Sequence, residues 1–302
     1  MKRKLVRQGK NALTLTLPIS WTREKGLTAK DEVEVTEADG DLAISAQAKT
    51  KPKATSLHLR SGNQKYVEAL FRNLYINGYD EIELTFEGKN DELNVAKAIE
   101  SLIGYEITLQ NAKGCTVKNL SPSEYAEYES LFKKIWYATF SMQELVQGAM
   151  NKKTNKHDTA KMEELSKQAS KFSCFSRRVI FKMNMYKDEE GLAKHVIINL
   201  VHMMARNYAT IYAHLKNPVK STTQAYERDT QEFIRSLFNA YCKKDMAGVE
   251  NVLAQRKPLL EKGLANMKND PVIMHYLLEI VRLCGTAAGK VGFVNALQVL
   301  KS

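Results

Sequence analysis

Lys2, Arg3, Lys4, Arg7 and Lys10 crowd the start of the chain, and no acid appears before Glu24. Permanent cations at this density have one direct chemical use, the neutralisation of a row of phosphates. A run of like charge is more often only a solvated tail. Here, however, it leads into "LTLTLPISW" at 13–21, whose alternating leucines and threonines predict a half-buried strand. Doubling that strand about a twofold axis would set the cations on one surface. Arg3, Lys4, Arg7 and Lys10 are therefore candidate contacts to double-stranded DNA.

Other spacings invite chemistry and support it less. His195 and His202 lie two helical turns apart, with His214 beyond them, but no third ligand stands at a spacing that would complete a metal site. "GTAAGK" at 285–290 has three residues between its glycines rather than four, and neither a Ser/Thr after Lys290 nor a preceding strand. Small residues that let helices approach closely explain it better than a phosphate loop. Met142, Met183, Met203 and Met204 fall at helical spacing and read as core. No Ser/His/Asp, Cys/His or paired-carboxylate arrangement stands out, so neither an enzyme nor a cofactor is expected.

These residues must be positioned by a chain of 302 residues with a formal charge of +11, long enough for two or three domains. Such a charge favours an anionic partner without saying anything of the fold. Cys115, Cys174, Cys242 and Cys284 are scattered without CxxC spacing and fit reduced thiols. No apolar run approaches the roughly 18 residues of a membrane span. The charged start lacks the apolar segment of a signal peptide. A soluble, cytoplasmic protein without membrane insertion is expected.

The elements fall into three parts. Residues 1–47 predict a strand stopped at Leu17 by Pro18, about two helical turns closed by Gly26, and two further strands joined at Asp39-Gly40. So small a unit cannot bury a core alone and needs a second copy, at least a homodimer. Residues 48–56, "AKTKPKATS", read as a linker. Residues 57–120 combine both periodicities as a small α+β module of β-α-β-α-β-β type, its first helix ending at Gly78. The rest, 121–302, is all helix, at 122–152, 158–186, 190–215, 222–243, 245–268 and 271–300. "SPSE" at 121–124 and "STTQ" at 221–224 predict capping boxes, Asp270-Pro271 predicts another start, and Pro258 should kink the fifth helix. "DTAKMEEL" at 158 and "DMAGVENV" at 245 share Asp-x-Ala-x-x-Glu, each opening the middle helix of three. Two three-helix units in tandem, about 121–216 and 221–302, are the simplest account.

"LVRQGKNALTLTLPISWTREKGLTAKDEVEVTEADGDLAIS" resembles the AbrB/SpoVT swapped-hairpin family of DNA-binding domains. That resemblance implies an intertwined homodimer and leaves Arg7 and Arg23 where the family carries DNA-contacting arginines. Leu13 stands where relatives often have a basic residue. The helical part resembles the PhoU family of tandem three-helix bundles. "GYDEIEL" and "IGYEITL" resemble archaeal-type members that carry an AbrB-like domain in front. The resemblance implies a phosphate-responsive transcriptional regulator of phosphate uptake genes. The alternative is a signalling adaptor that represses a phosphate transporter or sensor kinase through its helices, with the N-terminal part serving only to dimerise. PhoU bundles typically carry Glu-x-x-x-Asp pairs that hold metal clusters on the third helix of each half. The matching stretches here are "HMMAR", His202 to Arg206, and "VRLCG", Val281 to Gly285. No metal is expected there, and Arg206 makes an anion the better guest.

Overall fold

The computed structural model describes residues 3–9, 12–38, 41–46, 52–60, 62–88, 90–111, 113–121, 128–151, 156–183, 185 and 188–300. The chain divides into two compact units, Met1–Lys53 and Ala54–Ser302. It is strand-rich at the start and mostly helical thereafter.

In the first unit β1 (Val6–Gln8) and β2 (Ala12–Thr14) form an antiparallel pair, with Arg7 opposite Leu13 and Val6 opposite Thr14. The strand expected to reach Leu17 thus ends three residues early. Its partner begins only at Val6, and no described strand continues the ladder beside residues 15–17. Helix α1 (Ile19–Glu24) follows Pro18 and closes as expected at Gly26, whose φ is +67°. Leu27 N–H donates to Thr22 O and Gly26 N–H to Arg23 O, the paired bonds of a Schellman motif. Strands β3 (Val33–Ala38) and β4 (Asp41–Ala46) pair with Ala38 opposite Asp41. That register leaves a two-residue connection at the expected Asp39-Gly40 turn, which itself lies outside the described residues.

The second unit starts with β5 (Ala54–Leu59), so the segment read as linker up to residue 56 is ordered from Ala54. Ala54 and Ser56 face outward, and β5 runs parallel to β6 (Glu81–Phe86) with Leu57 opposite Leu84. A strand with one wet face can be this polar. Strand β7 (Tyr105–Asn111) and strand β8 (Gly114–Asn119) complete a sheet of order β5-β6-β8-β7. Between the strands run α2 (Gln64–Ile76) and α3 (Asp91–Ile99). Val67, Phe71 and Tyr75 of α2 and Val95 and Ile99 of α3 are buried, as are Ile82, Leu84 and Val117 of the sheet.

Six helices follow: α4 (Tyr128–Asn151), α5 (Lys156–Lys182), α6 (Glu189–His214), α7 (Ser221–Lys243), α8 (Met246–Ala265) and α9 (Pro271–Leu300). Their bounds lie close to those read from periodicity. Helices α4, α5 and α6 pack mutually, as do α7, α8 and α9, and the two triplets meet along α6 and α9. Helix α8 continues through Pro258 as one element. Met142 and Met204 are core, whereas Met183 and Met203 are exposed, Met183 because it lies past the end of α5.

The caps differ from expectation in an informative way. The "SPSE" motif lies mostly outside the described residues. At "STTQ" no capping box forms; Lys220 is the cap residue, and Ser221 is already helical. Asp270 instead serves α7 from a distance, accepting from Lys220 N–H at 3.1 Å and Thr223 Oγ1 at 2.6 Å. Asp245 caps α8 by accepting from Gly248 N–H, but Asp158 lies inside α5 and is not its cap.

The α+β module is clamped onto α5 by one buried cation. Arg178 Nη1 donates to the carbonyls of Tyr75 and Tyr79, both at 2.8 Å, and its other terminal nitrogen pairs with Asp80. Lys182 Nζ adds a second bond to Asp80 at 2.7 Å. The Arg178 guanidinium also stacks over the Tyr75 ring, 4.8 Å from its centroid.

Candidate functional site

Arg3, Lys4, Arg7 and Arg23, the residues expected to meet DNA, are all exposed; Lys10 lies outside the described residues. Arg7 is carried by β1 and held across from Leu13, so the cation and the leucine share one face of the hairpin. Arg23 stands in the last turn of α1, where the negative end of the helix dipole favours a cation. No ion pair engages these four among the described residues, so their charge is available to a partner.

The apolar side chains around them are exposed as well. Leu5, Leu13 and Ile19 are each at least 60% exposed, and no described residue between 3 and 53 is buried. Of the leucine face predicted to be half-buried, Leu13 and Leu15 are therefore exposed and Leu17 is partly covered. No described residue of the first unit buries Leu13 or Leu15.

On the helical side, Arg206 is exposed on α6, one turn after the buried His202. His195, Asn199, His202 and Arg206 follow at i, i+4, i+7 and i+11 and share one face of that helix. Arg177 of α5 reaches this face, with Nη1 donating to Asn199 Oδ1 and Nη2 lying against His195 Nε2, both at 3.3 Å. Phe181 of α5 packs edge-on against the His195 ring. Burial first, and then the Arg177 charge, push the His195 pKa down to about 4. Burial first, and then Arg206, Arg72 of α2 and Arg177, push His202 down to about 4 as well. Two neutral imidazoles beside three guanidinium groups make a poor cation site and an electropositive one. Among the described residues no cluster of three or more His, Cys, Asp or Glu side chains could hold a metal ion.

In the second triplet the slot at Val281 and Gly285 is filled differently. A Cβ at Gly285 would lie 2.4 Å from Arg256 Cδ and 2.6 Å from its Nε, so the glycine makes room for an arginine of α8. "GTAAGK" lies wholly within α9 and is a helix–helix contact rather than a phosphate loop. His214 stands apart, stacked on Tyr276.

Sequence reading missed Arg72 and Arg177 as companions of Arg206. The two lie on different helices far apart in the chain, and only the fold joins them. It also missed Glu227, an acid fully buried within the helical part. Its signal was local, since Thr223, Glu227, Thr230 and Ile234 follow one stripe of α7.

No known protein family matches the chain, and no curated protein or solved structure matches it. No helix among the described residues is long and apolar enough to cross a membrane.

Proposed function

We propose that the protein is a DNA-binding transcriptional regulator, of AbrB/SpoVT type at its N-terminus and PhoU type in its two helical triplets, which acts as a homodimer in the phosphate-responsive control of phosphate uptake genes. The observation that carries this reading is the first unit, which has exposed leucines, no buried residue among those described, and Arg7 exposed on the same hairpin as Leu13. A unit of this size without a core is not stable alone, and a second copy supplies the missing apolar surface. Burying Leu5, Leu13 and Leu15 against their counterparts is worth about 1.5–3 kcal/mol for each side chain. The same doubling duplicates the cations along one surface suited to a DNA backbone.

Sedimentation of the full chain at micromolar concentration should give a dimer or larger. A monomer would overturn the swapped-hairpin assignment. Exchanging Arg7 and Lys10 for glutamate should abolish a gel shift on duplex DNA and leave the melting temperature nearly unchanged, because Arg7 is exposed and Lys10 is expected to be. A dimer that binds no DNA would instead favour an adaptor acting on a transporter or kinase through its helices.

A further inference from the structure

We propose that the seam where α2, α5 and α6 approach one another binds a small tetrahedral oxyanion of the phosphate type, held by Arg177 and Arg206 with Arg72 at its edge. The proposal does not depend on the N-terminal unit binding DNA. Arg177 carries the argument. Its two terminal nitrogens meet only neutral groups, Asn199 Oδ1 and His195 Nε2, each at a long 3.3 Å. Its Nε is buried and has no hydrogen-bond partner, and His195 Nδ1 beside it is likewise buried and unpartnered. A guanidinium in such a place normally faces a carboxylate, because a partly buried cation without a counter-charge is costly. Among the described residues no ion pair engages Arg72, Arg177 or Arg206, although all three bear on His202 strongly enough to oppose its protonation. The acid one turn before Arg72 on α2, Glu68, accepts instead from Gln64 Nε2 at 2.9 Å.

An oxyanion at this seam supplies the counter-charge that these guanidinium groups lack. Guanidinium forks match the spacing of phosphate oxygens and bind them with two parallel bonds. The buried Nε of Arg177 gains an acceptor, and imidazole N–H groups supply neutral donors. A bound anion must also raise the histidine pKa values, because it offsets the guanidinium charge that holds them down. Binding should therefore take up protons between pH 4 and 6.5, a signature that a passive surface patch of arginines would not give.

The test is isothermal calorimetry of the full-length protein with inorganic phosphate, at constant ionic strength set by chloride. It is run at pH 7 and near pH 5.5, in two buffers of different ionisation heat. One site per chain is expected, with proton uptake at the lower pH. Arg177→Gln and Arg206→Gln should each weaken binding at least about tenfold, as loss of a charged hydrogen bond does. Arg7→Glu should leave it unchanged, which separates this site from the basic N-terminus. Because Arg206 is exposed, its variant should fold even if the Arg177 variant does not. The absence of a binding heat at about 10 mM phosphate, with no chloride-matched rise in melting temperature, would overturn the proposal. Binding that survives Arg206→Gln undiminished would overturn it equally.

Discussion

Glu227 shows how far one residue can set the pH response of the helical part. It projects from α7 toward Gln143 of α4 and Tyr208 of α6, is fully buried, and neither carboxyl oxygen has a hydrogen-bond partner. Gln143 lies beside it but donates its amide to the Tyr208 hydroxyl at 2.9 Å. Burial pushes the Glu227 pKa up from 4.5 to about 7, with Gln143 and Arg228 opposing. The folded state then holds the proton more tightly than the unfolded state. Its contribution is full below about pH 4.5 and is lost as pH rises toward 7. Glu227→Gln keeps the shape of the protonated acid and removes the titration. It should leave stability at pH 5 nearly unchanged and raise it at pH 8 by about 3 kcal/mol, measured by urea unfolding at both values. His195 and His202 act in the opposite sense. Their lowered pKa values make stability present above 6.5 and lost as pH falls toward 4. The two histidines and Arg206 were legible as one helical face from their spacing alone. Arg72 and Arg177 were not, because no local pattern announces a contact between helices so distant in sequence.

At the scale of elements, periodicity was legible wherever the chain itself supplies the burial. The amphipathic stripes of α4 to α9 each pack within the same unit, so their bounds could be read closely. The stops at Gly26 and Gly78 are local backbone events, with φ of +67° and +79°, and both were visible as glycines closing a helical stretch. Strand β2 stops short of the expected Leu17 where no described strand continues its ladder. The cap of α7 failed because Asp270 supplies the carboxylate from a distant part of the chain. The clamp between the α+β module and α5 was equally invisible, since Arg178 looks like any helical arginine until Asp80 and the carbonyls of Tyr75 and Tyr79 surround it. That clamp yields a sharp expectation. Asp80→Asn leaves a guanidinium with 0% exposed side chain without its counter-charge and should cost about 3–5 kcal/mol, measured by urea unfolding. Replacing Glu261, whose pairing with Lys257 is exposed, should cost under about 0.5 kcal/mol in the same assay.

The whole molecule joins two units with opposite needs. Ala54–Ser302 buries its own core, from Phe71 and Tyr75 in the α+β module to Trp136 and Leu277 in the helices. Met1–Lys53 buries nothing that is described and displays both leucines and arginines. In the proposed function, the self-sufficient unit receives the signal and the first unit, once doubled, meets the DNA. Deleting residues 1–53 should therefore lower the oligomeric state and abolish DNA affinity, while the remaining chain keeps its helical spectrum and its melting transition. The central claim is that the first unit binds DNA through its cations, and the most direct measurement is duplex affinity as a function of salt. Each phosphate neutralised contributes about −0.9 to the slope of log K against log salt. The wild-type protein should give a steep linear fall, and Arg7→Glu with Arg23→Glu a markedly shallower one with weaker binding at every salt concentration. A flat salt dependence, or a slope and affinity unchanged in that double variant, would contradict the account.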